Sequence, residues 1–156
     1  MDSKTNSQTA AALATLFGVG RAPIASGTVA SIAALPLAFV IHYVAGAWVL
    51  FACAIAAAAL GIWACDIYAR ESGIKDPSEC VIDELAGQWL ACAFAPLSLY
   101  GYALAFLLFR IFDVAKPWPI SAAERQPGGL GIMLDDVIAG LFAGLLVALV
   151  RYAGLV

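Results

Sequence analysis

Three stretches of this chain, residues 22–65, 85–109 and 137–150, contain no Asp, Glu, Lys or Arg. Such gaps dominate what a chain of 156 residues can become, because about 20 consecutive apolar residues are enough to cross a hydrocarbon layer ~30 Å thick. Hydrophobic residues make up 63% of the sequence and charged ones 12%, with a mean hydropathy of +0.93. Soluble domains carry about half and about a quarter. The class this implies is all-α and membrane-embedded, since helices satisfy their own backbone polar groups in lipid. The length suggests one domain. Residues 1–9 (MDSKTNSQT) read as a polar, disordered tail, and 10–156 as a single membrane-embedded helical unit.

The run from 29 to 65 is too long for one span and breaks at Val44-Ala45-Gly46. It reads as a hairpin with arms near 30–43 and 47–70, capped by Ser26 or Thr28 at its start and stopped by Gly73. The stretch 85–109 is interrupted by APLSLYG (95–101), where Pro96 and Gly101 bracket a bend. Neither arm alone reaches across a bilayer, so a re-entrant or broken helical hairpin fits better than one span. A last helix is expected from Asp135 to about Val156.

Charge is confined almost entirely to the segments between these runs. Segment 66–84 sets two basic residues against six acidic ones, and segment 110–136 sets three against four. The net charge of −3 excludes nucleic acid as a partner. Two acidic pairs, Asp83/Glu84 and Asp135/Asp136, fall at expected helix starts. One acid suffices to complement a helix dipole, worth a few tenths to ~1 kcal/mol. Adjacent acids at the edge of an apolar layer repel each other and are costly to desolvate. Divalent cations resolve that conflict, and an oxygen-only ligand set favours Mg²⁺, Mn²⁺ or Ca²⁺ over zinc. Asp83-Glu84-Leu85-Ala86-Gly87 and Asp136-Val137-Ile138-Ala139-Gly140 also echo one another, each placing a glycine one turn after an acid. A small residue there lets a second helix approach closely.

Two further features fit a phosphate ester. Arg110, Asp113 and Lys116 recur every three residues and share a broad helix face, with Pro117 pushing Lys116 toward an extended conformation. GVGRAPIASGT (18–28) is a glycine-rich loop leading into a helix start, where an anion is favoured. His42, the four cysteines and the tryptophans read as packing or interfacial residues.

Four motifs, GVGRAPIASGTVAS, DPSECVIDELAG, FRIFDVAKPWPI and GGLGIMLDDVIAG, stand in this order from about Phe17 to Gly144. In that order they resemble the phosphatidylglycerophosphatase A family. The resemblance implies a Mg²⁺-dependent lipid phosphatase of the bacterial inner membrane, acting on a phospholipid substrate within the bilayer. It would convert phosphatidylglycerophosphate to phosphatidylglycerol and phosphate. Carried over residue by residue, it implies Asp83, Asp113 and Asp136 as catalytic residues. Asp83, Glu84, Asp135 and Asp136 become metal ligands, and Gly27, Thr28, Arg110 and Lys116 the phosphate-binding set. Departures occur in the first loop, where Ser26-Gly27-Thr28 replaces a frequent Pro-Gly-Thr, and at Pro127, where a His is common.

Such a site requires the three polar segments to meet, so 85–109 must return to its starting side. The bias of Lys and Arg toward that side makes it cytoplasmic. Two other classes remain open: a divalent-cation channel or transporter with acidic helix mouths, and a non-catalytic membrane scaffold.

Overall fold

The computed structural model describes residues 3–155. Its helices are α1 (Ser3–Ala14), α2 (Ser26–Ala45), α3 (Ala47–Ser72), α4 (Ile82–Ala93), α5 (Leu99–Ala115), the single turn α6 (Ile120–Ala123) and α7 (Gly128–Tyr152); a 3₁₀ turn occupies Val19–Arg21. Among the described residues there is no strand. Helices α2, α3 and α7, of 20, 26 and 25 residues, are long and apolar enough to cross a membrane. Their outer faces expose Val40, Ile55, Leu60, Leu145 and Leu149. Their inner faces carry small residues at helical spacing, such as Ala30, Ala34 and Ala38 on α2 and Ala54, Ala58 and Gly61 on α3. That is the pattern by which helices pack closely without a hydrophobic drive between them.

The hairpin between α2 and α3 turns at Gly46, whose φ of 89° is open to glycine, and α3 ends on Gly73 with φ 70°. Both stops fall where the sequence places them. The interrupted stretch is two helices. Helix α4, about 18 Å long, is buried on nearly every side, its strongly polar side chains confined to Asp83, Glu84 and Gln88. The chain then turns at Phe94–Ser98. Pro96 closes on Gly101, where a Cβ would meet the Pro96 carbonyl, and the Ser98 hydroxyl accepts from the Gly101 amide at 3.0 Å. Helix α5 runs back to the starting end. Trp89 Nε1 donates to the Ala34 carbonyl at 3.0 Å, tying α4 to α2.

Helices α4 and α7 cross in backbone contact. A Cβ added to Gly140 would strike the Gly87 carbonyl and Cα, and one added to Gly87 would meet the Asp136 carbonyl and the Phe109 ring. The two glycines of the repeated acid–Ala–Gly pattern therefore stand against one another.

Four boundaries differ from the sequence reading. Ser3–Thr9, expected to be disordered, form the first turns of α1; Met1 and Asp2 lie outside the described residues. The helix is anchored by Ala10 and Ala14, both fully buried, and by the Ser7 hydroxyl donating to Glu71 on α3. Helix α7 begins at Gly128, seven residues before Asp135. Glycine costs a helix about 1 kcal/mol per residue, but Gly129 lies where a Cβ would strike the Ile62 carbonyl and Asp66 amide of α3, so close packing offsets that cost. The residue preceding α2 is Ala25, left-handed at φ 49°, rather than Ser26 or Thr28. The Ser26 hydroxyl instead donates to the Ser78 carbonyl at 2.7 Å, tying the first loop to the third. Finally, Lys116 is left-handed rather than extended, with φ 42° and ψ 54°. Pro117 excludes the right-handed helical region from it, and its amide caps α5 by donating to the Phe112 carbonyl at 2.9 Å.

Gly140→Ala should lower the melting temperature in detergent micelles, overpacking of this kind costing about 1–3 kcal/mol. Leu145→Ala, on the exposed face of the same helix, should leave it nearly unchanged.

Candidate active site

Because Gly87 and Gly140 set the crossing of α4 on α7, the residues four positions earlier, Asp83 and Asp136, meet one turn away. One carboxylate oxygen from each of Asp83, Glu84 and Asp136 lies within 4.8 Å of the other two. Asp83 is 9% exposed and Asp136 3%. Glu84 Oε2 and Asp136 Oδ2 are buried without a hydrogen-bond partner. Asp83 Oδ1 accepts the Glu84 amide at 3.0 Å. At an effective dielectric of about 20, two unit charges 4 Å apart repel by about 4 kcal/mol. Burial, followed by the neighbouring Glu84 and Asp136 charges, accordingly holds the Asp83 carboxyl well above the usual carboxylate range. Three clustered oxygen donors with orphaned lone pairs fit a hard divalent cation.

The first loop and α5 close the other side of the trio. Gly27, in the first turn of α2, packs directly against the Glu84 carboxylate, and the position of its absent Cβ is 3.3 Å from Arg110 Nη1. Any side chain at 27 would displace one or the other. The amides of Gly27 and Thr28 precede the first intrahelical donor of α2, the Val29 amide on the Ala25 carbonyl, so they remain available to an anion. Arg110 Nη1 is 2.5 Å from Asp113 Oδ2, with both side chains mostly buried. Asp113 in turn lies against Asp136. Six sequence-derived site residues, Gly27, Asp83, Glu84, Arg110, Asp113 and Asp136, thus converge from four helices, with Thr28 beside them.

The remaining two expected residues form a neighbouring cluster. Lys116 Nζ donates to Asp135 Oδ2 at 2.7 Å and to Glu124 Oε1 at 2.6 Å. Asp135 immediately precedes Asp136 on α7 but points about 100° around the helix, so its carboxylate is held by the lysine and lies outside the clustered trio. Burial disfavours the Lys116 charge, but its bonds and attraction to Asp135 and Glu124 outweigh burial and hold the ammonium above its usual range. Two residues missed by the sequence reading stand out. Glu124 is the second anchor of Lys116. Gln88 is fully buried one turn beyond Glu84, its Nε2 3.4 Å from Cys92 Sγ and its Oε1 unpartnered. A lone amide in an otherwise apolar run, four residues after an acid, was the available signal for it.

With the geometry in view, the chain can be compared with known proteins. The family profile of phosphatidylglycerophosphatase A matches residues 12–151. The chain belongs to the phosphatidylglycerophosphatase A family. It is 36% identical over 138 residues to phosphatidylglycerophosphatase A of Escherichia coli strain K12, covering 86% of this chain and 79% of that one. The Haemophilus influenzae protein of the same name is 34% identical over 142 residues, 90% and 87% of the two chains. A Bacteroides thetaiotaomicron protein described as a putative phosphatidylinositol-3-phosphatase is 37% identical over 147 residues, 90% and 92% of the two chains. No solved structure matches. Family membership makes the chain a membrane-embedded phosphoric monoester hydrolase.

Asp83→Asn removes one of three mutually repelling carboxylates. In metal-free detergent solution it should melt higher than the wild type. Added Mg²⁺ or Mn²⁺ should raise the wild-type melting point, a ligand at 100 times its Kd stabilising by about 2.7 kcal/mol, and should no longer raise that of Asp83→Asn.

Proposed function

We propose that this protein hydrolyses phosphatidylglycerophosphate to phosphatidylglycerol and inorganic phosphate on the cytoplasmic face of the bacterial inner membrane, using Mg²⁺ held by Asp83, Glu84 and Asp136. The observation that carries this reading is the meeting of three buried carboxylates with Arg110 and a helix start at one end of an apolar bundle. When bound, the ion supplies charge neutralisation and Lewis acidity toward a phosphoryl oxygen.

The rest of the work falls to the protein's own groups. Arg110, oriented by Asp113, offers its remaining guanidinium donors to the non-reacting phosphate oxygens. The Gly27 and Thr28 amides add neutral donors and the positive end of the α2 dipole. Asp113 is paired with Arg110 at the edge of the carboxylate trio, and we assign it to take up the proton of the attacking water. Asp135 and Glu124 position Lys116, which supplies a second fixed positive charge at the mouth of the site. The acidic end lies over fully buried Leu90, Phe109 and Val147. A cation channel would have to conduct through that packed layer, which favours the hydrolase reading.

The orientation follows from charge. Arg21, Arg70, Lys75, Lys116 and Arg125 flank the acidic end, and Arg151 falls near the other, in the sense of the positive-inside rule. The substrate head group rests on the two relatives named for phosphatidylglycerophosphate; the relative named for an inositol lipid supplies the comparison substrate.

Purified protein in mixed micelles should release phosphate from phosphatidylglycerophosphate with Mg²⁺ and stop when EDTA is added. Asp136→Asn should lower kcat by at least ~100-fold, the scale of losing one preorganised electrostatic contact. Faster release from phosphatidylinositol 3-phosphate would overturn the head-group assignment. On a cysteine-free background, Asp76→Cys should react with an impermeant maleimide only after spheroplast lysis, whereas Tyr43→Cys should react in intact spheroplasts.

A further inference from the structure

An apolar groove of about 580 Å³ opens between α2 and α5 on the outer surface of the bundle. Ile32, Leu35 and Phe39 form one wall and Tyr102, Ala103 and Phe106 the other. Its floor is fixed, since Tyr102 Oη donates to the Ala38 carbonyl at 3.3 Å and its ring packs edge-on against Phe39 at 5.5 Å. The position of the groove relative to the site is set by helix geometry. Ile32 lies four residues after Thr28, and Phe106 four before Arg110, so each wall continues one turn higher into a residue of the phosphate-binding set. The groove extends down α5 to Leu97–Leu99, about 18 Å below Arg110. One leaflet of a ~30 Å hydrocarbon core is ~15 Å deep.

Other flanks of the site are closed by packing. Helices α4 and α7 touch backbone to backbone at Gly87 and Gly140, and α3 and α7 do so at Ile62 and Gly129. Phe112 and Phe142 seal α5 against α7, with ring centroids 5.9 Å apart. The second apolar hollow, around Trp48, Phe94 and Arg151, lies near the opposite end of α7.

We infer that the groove between α2 and α5 holds one acyl chain of the lipid phosphomonoester substrate and sets its lateral entry from the bilayer, an inference that rests on the phosphatase reading. The same two helices then grip both parts of the molecule. Gly27 and Arg110 face the phosphate, and the groove directly beneath takes the chain. This makes the depth of the substrate in the membrane, and so the height of its phosphate, a property of the α2–α5 pair.

The test fills the groove. Ala103 is exposed within it, and Ala103→Trp should lower kcat/KM for dioleoyl phosphatidylglycerophosphate about tenfold or more. The dihexanoyl analogue, too short to reach past the upper wall, should change less than twofold. Leu145→Trp, an equally bulky change on the exposed face of α7, should affect neither substrate. If Ala103→Trp behaves as Leu145→Trp does, the groove is ordinary lipid-facing surface and the inference is overturned. Should Ala103→Trp lose both activities through misfolding, a phosphonate analogue carrying a diazirine on its acyl chain decides the matter on wild-type protein. Cross-links concentrated on Ile32, Phe39 and Phe106 support the inference, and cross-links spread evenly over the exposed helices overturn it. Absence of phosphate release by wild-type protein from either lipid would sink the phosphatase reading instead, with the cross-linking pattern still deciding the groove.

Discussion

Two glycines facing each other where α4 crosses α7 set the geometry on which everything else here depends. With no Cβ at Gly87 or Gly140, the two backbones meet directly, and helical spacing then carries Asp83 and Asp136 into mutual contact one turn away. The carboxylates do not draw the helices together; they push them apart. Several kcal/mol of repulsion among three buried acids must be resisted by packing elsewhere, and the buried layer of Leu90, Phe109, Ala139 and Val147 beneath them supplies it. The site is thus strained electrostatically in proportion to how well it is packed. A cation is the natural release.

The shortness of α4 belongs to the same logic. A single full-length span in place of α4 and α5 would deliver the chain to the far interface, and Arg110 could not share a level with Asp83 and Asp136. Twelve residues followed by a Pro96–Gly101 turn keep the acidic end of α4 beside the returning end of α5. The re-entrant pair therefore brings four helix segments to one level: the start of α2, the start of α4, the end of α5 and the third turn of α7. No single segment carries enough polar groups to bind a phosphoester.

Much of this was legible in the sequence, and the part that was not has a common cause. Gaps in charge gave the spanning helices, Gly46 and Gly73 gave their ends, and the acid–Ala–Gly echo marked two faces open to close approach, though not that they face each other. Local rules failed at Gly128–Leu134, where glycine's poor helix propensity argued for a loop but close packing of Gly129 on α3 prevailed. They failed again at residues 3–9, where polarity suggested disorder although two buried alanines a turn or two later anchor a helix. Asp135 was assigned with Asp136 because adjacency in sequence is visible, whereas the 100° between neighbours on a helix matters only once the helix start is known. That start lay seven residues earlier than the sequence reading placed it. Gln88 escaped notice because one amide in an apolar run is weak evidence until the burial of its neighbours is known.

The separation of Asp135 from the trio divides the polar end into two electrostatic units of different character. Asp83, Glu84 and Asp136 form a cluster of like charges with oxygen lone pairs to spare, suited to an ion that comes and goes. Lys116, Asp135 and Glu124 form a set of opposite charges bonded at 2.6 and 2.7 Å, suited to holding a fixed position. The two units share the backbone of one helical turn of α7, so motion of the fixed unit moves the other. The Lys116 amide caps α5 on the carbonyl of Phe112, four residues earlier, so the bonds of its side chain to Asp135 and Glu124 lock the end of α5 to α7. That lock also fixes Arg110, less than two turns back along α5. The ion pair seen at the rim therefore governs where the guanidinium stands relative to the carboxylates, although it touches none of them.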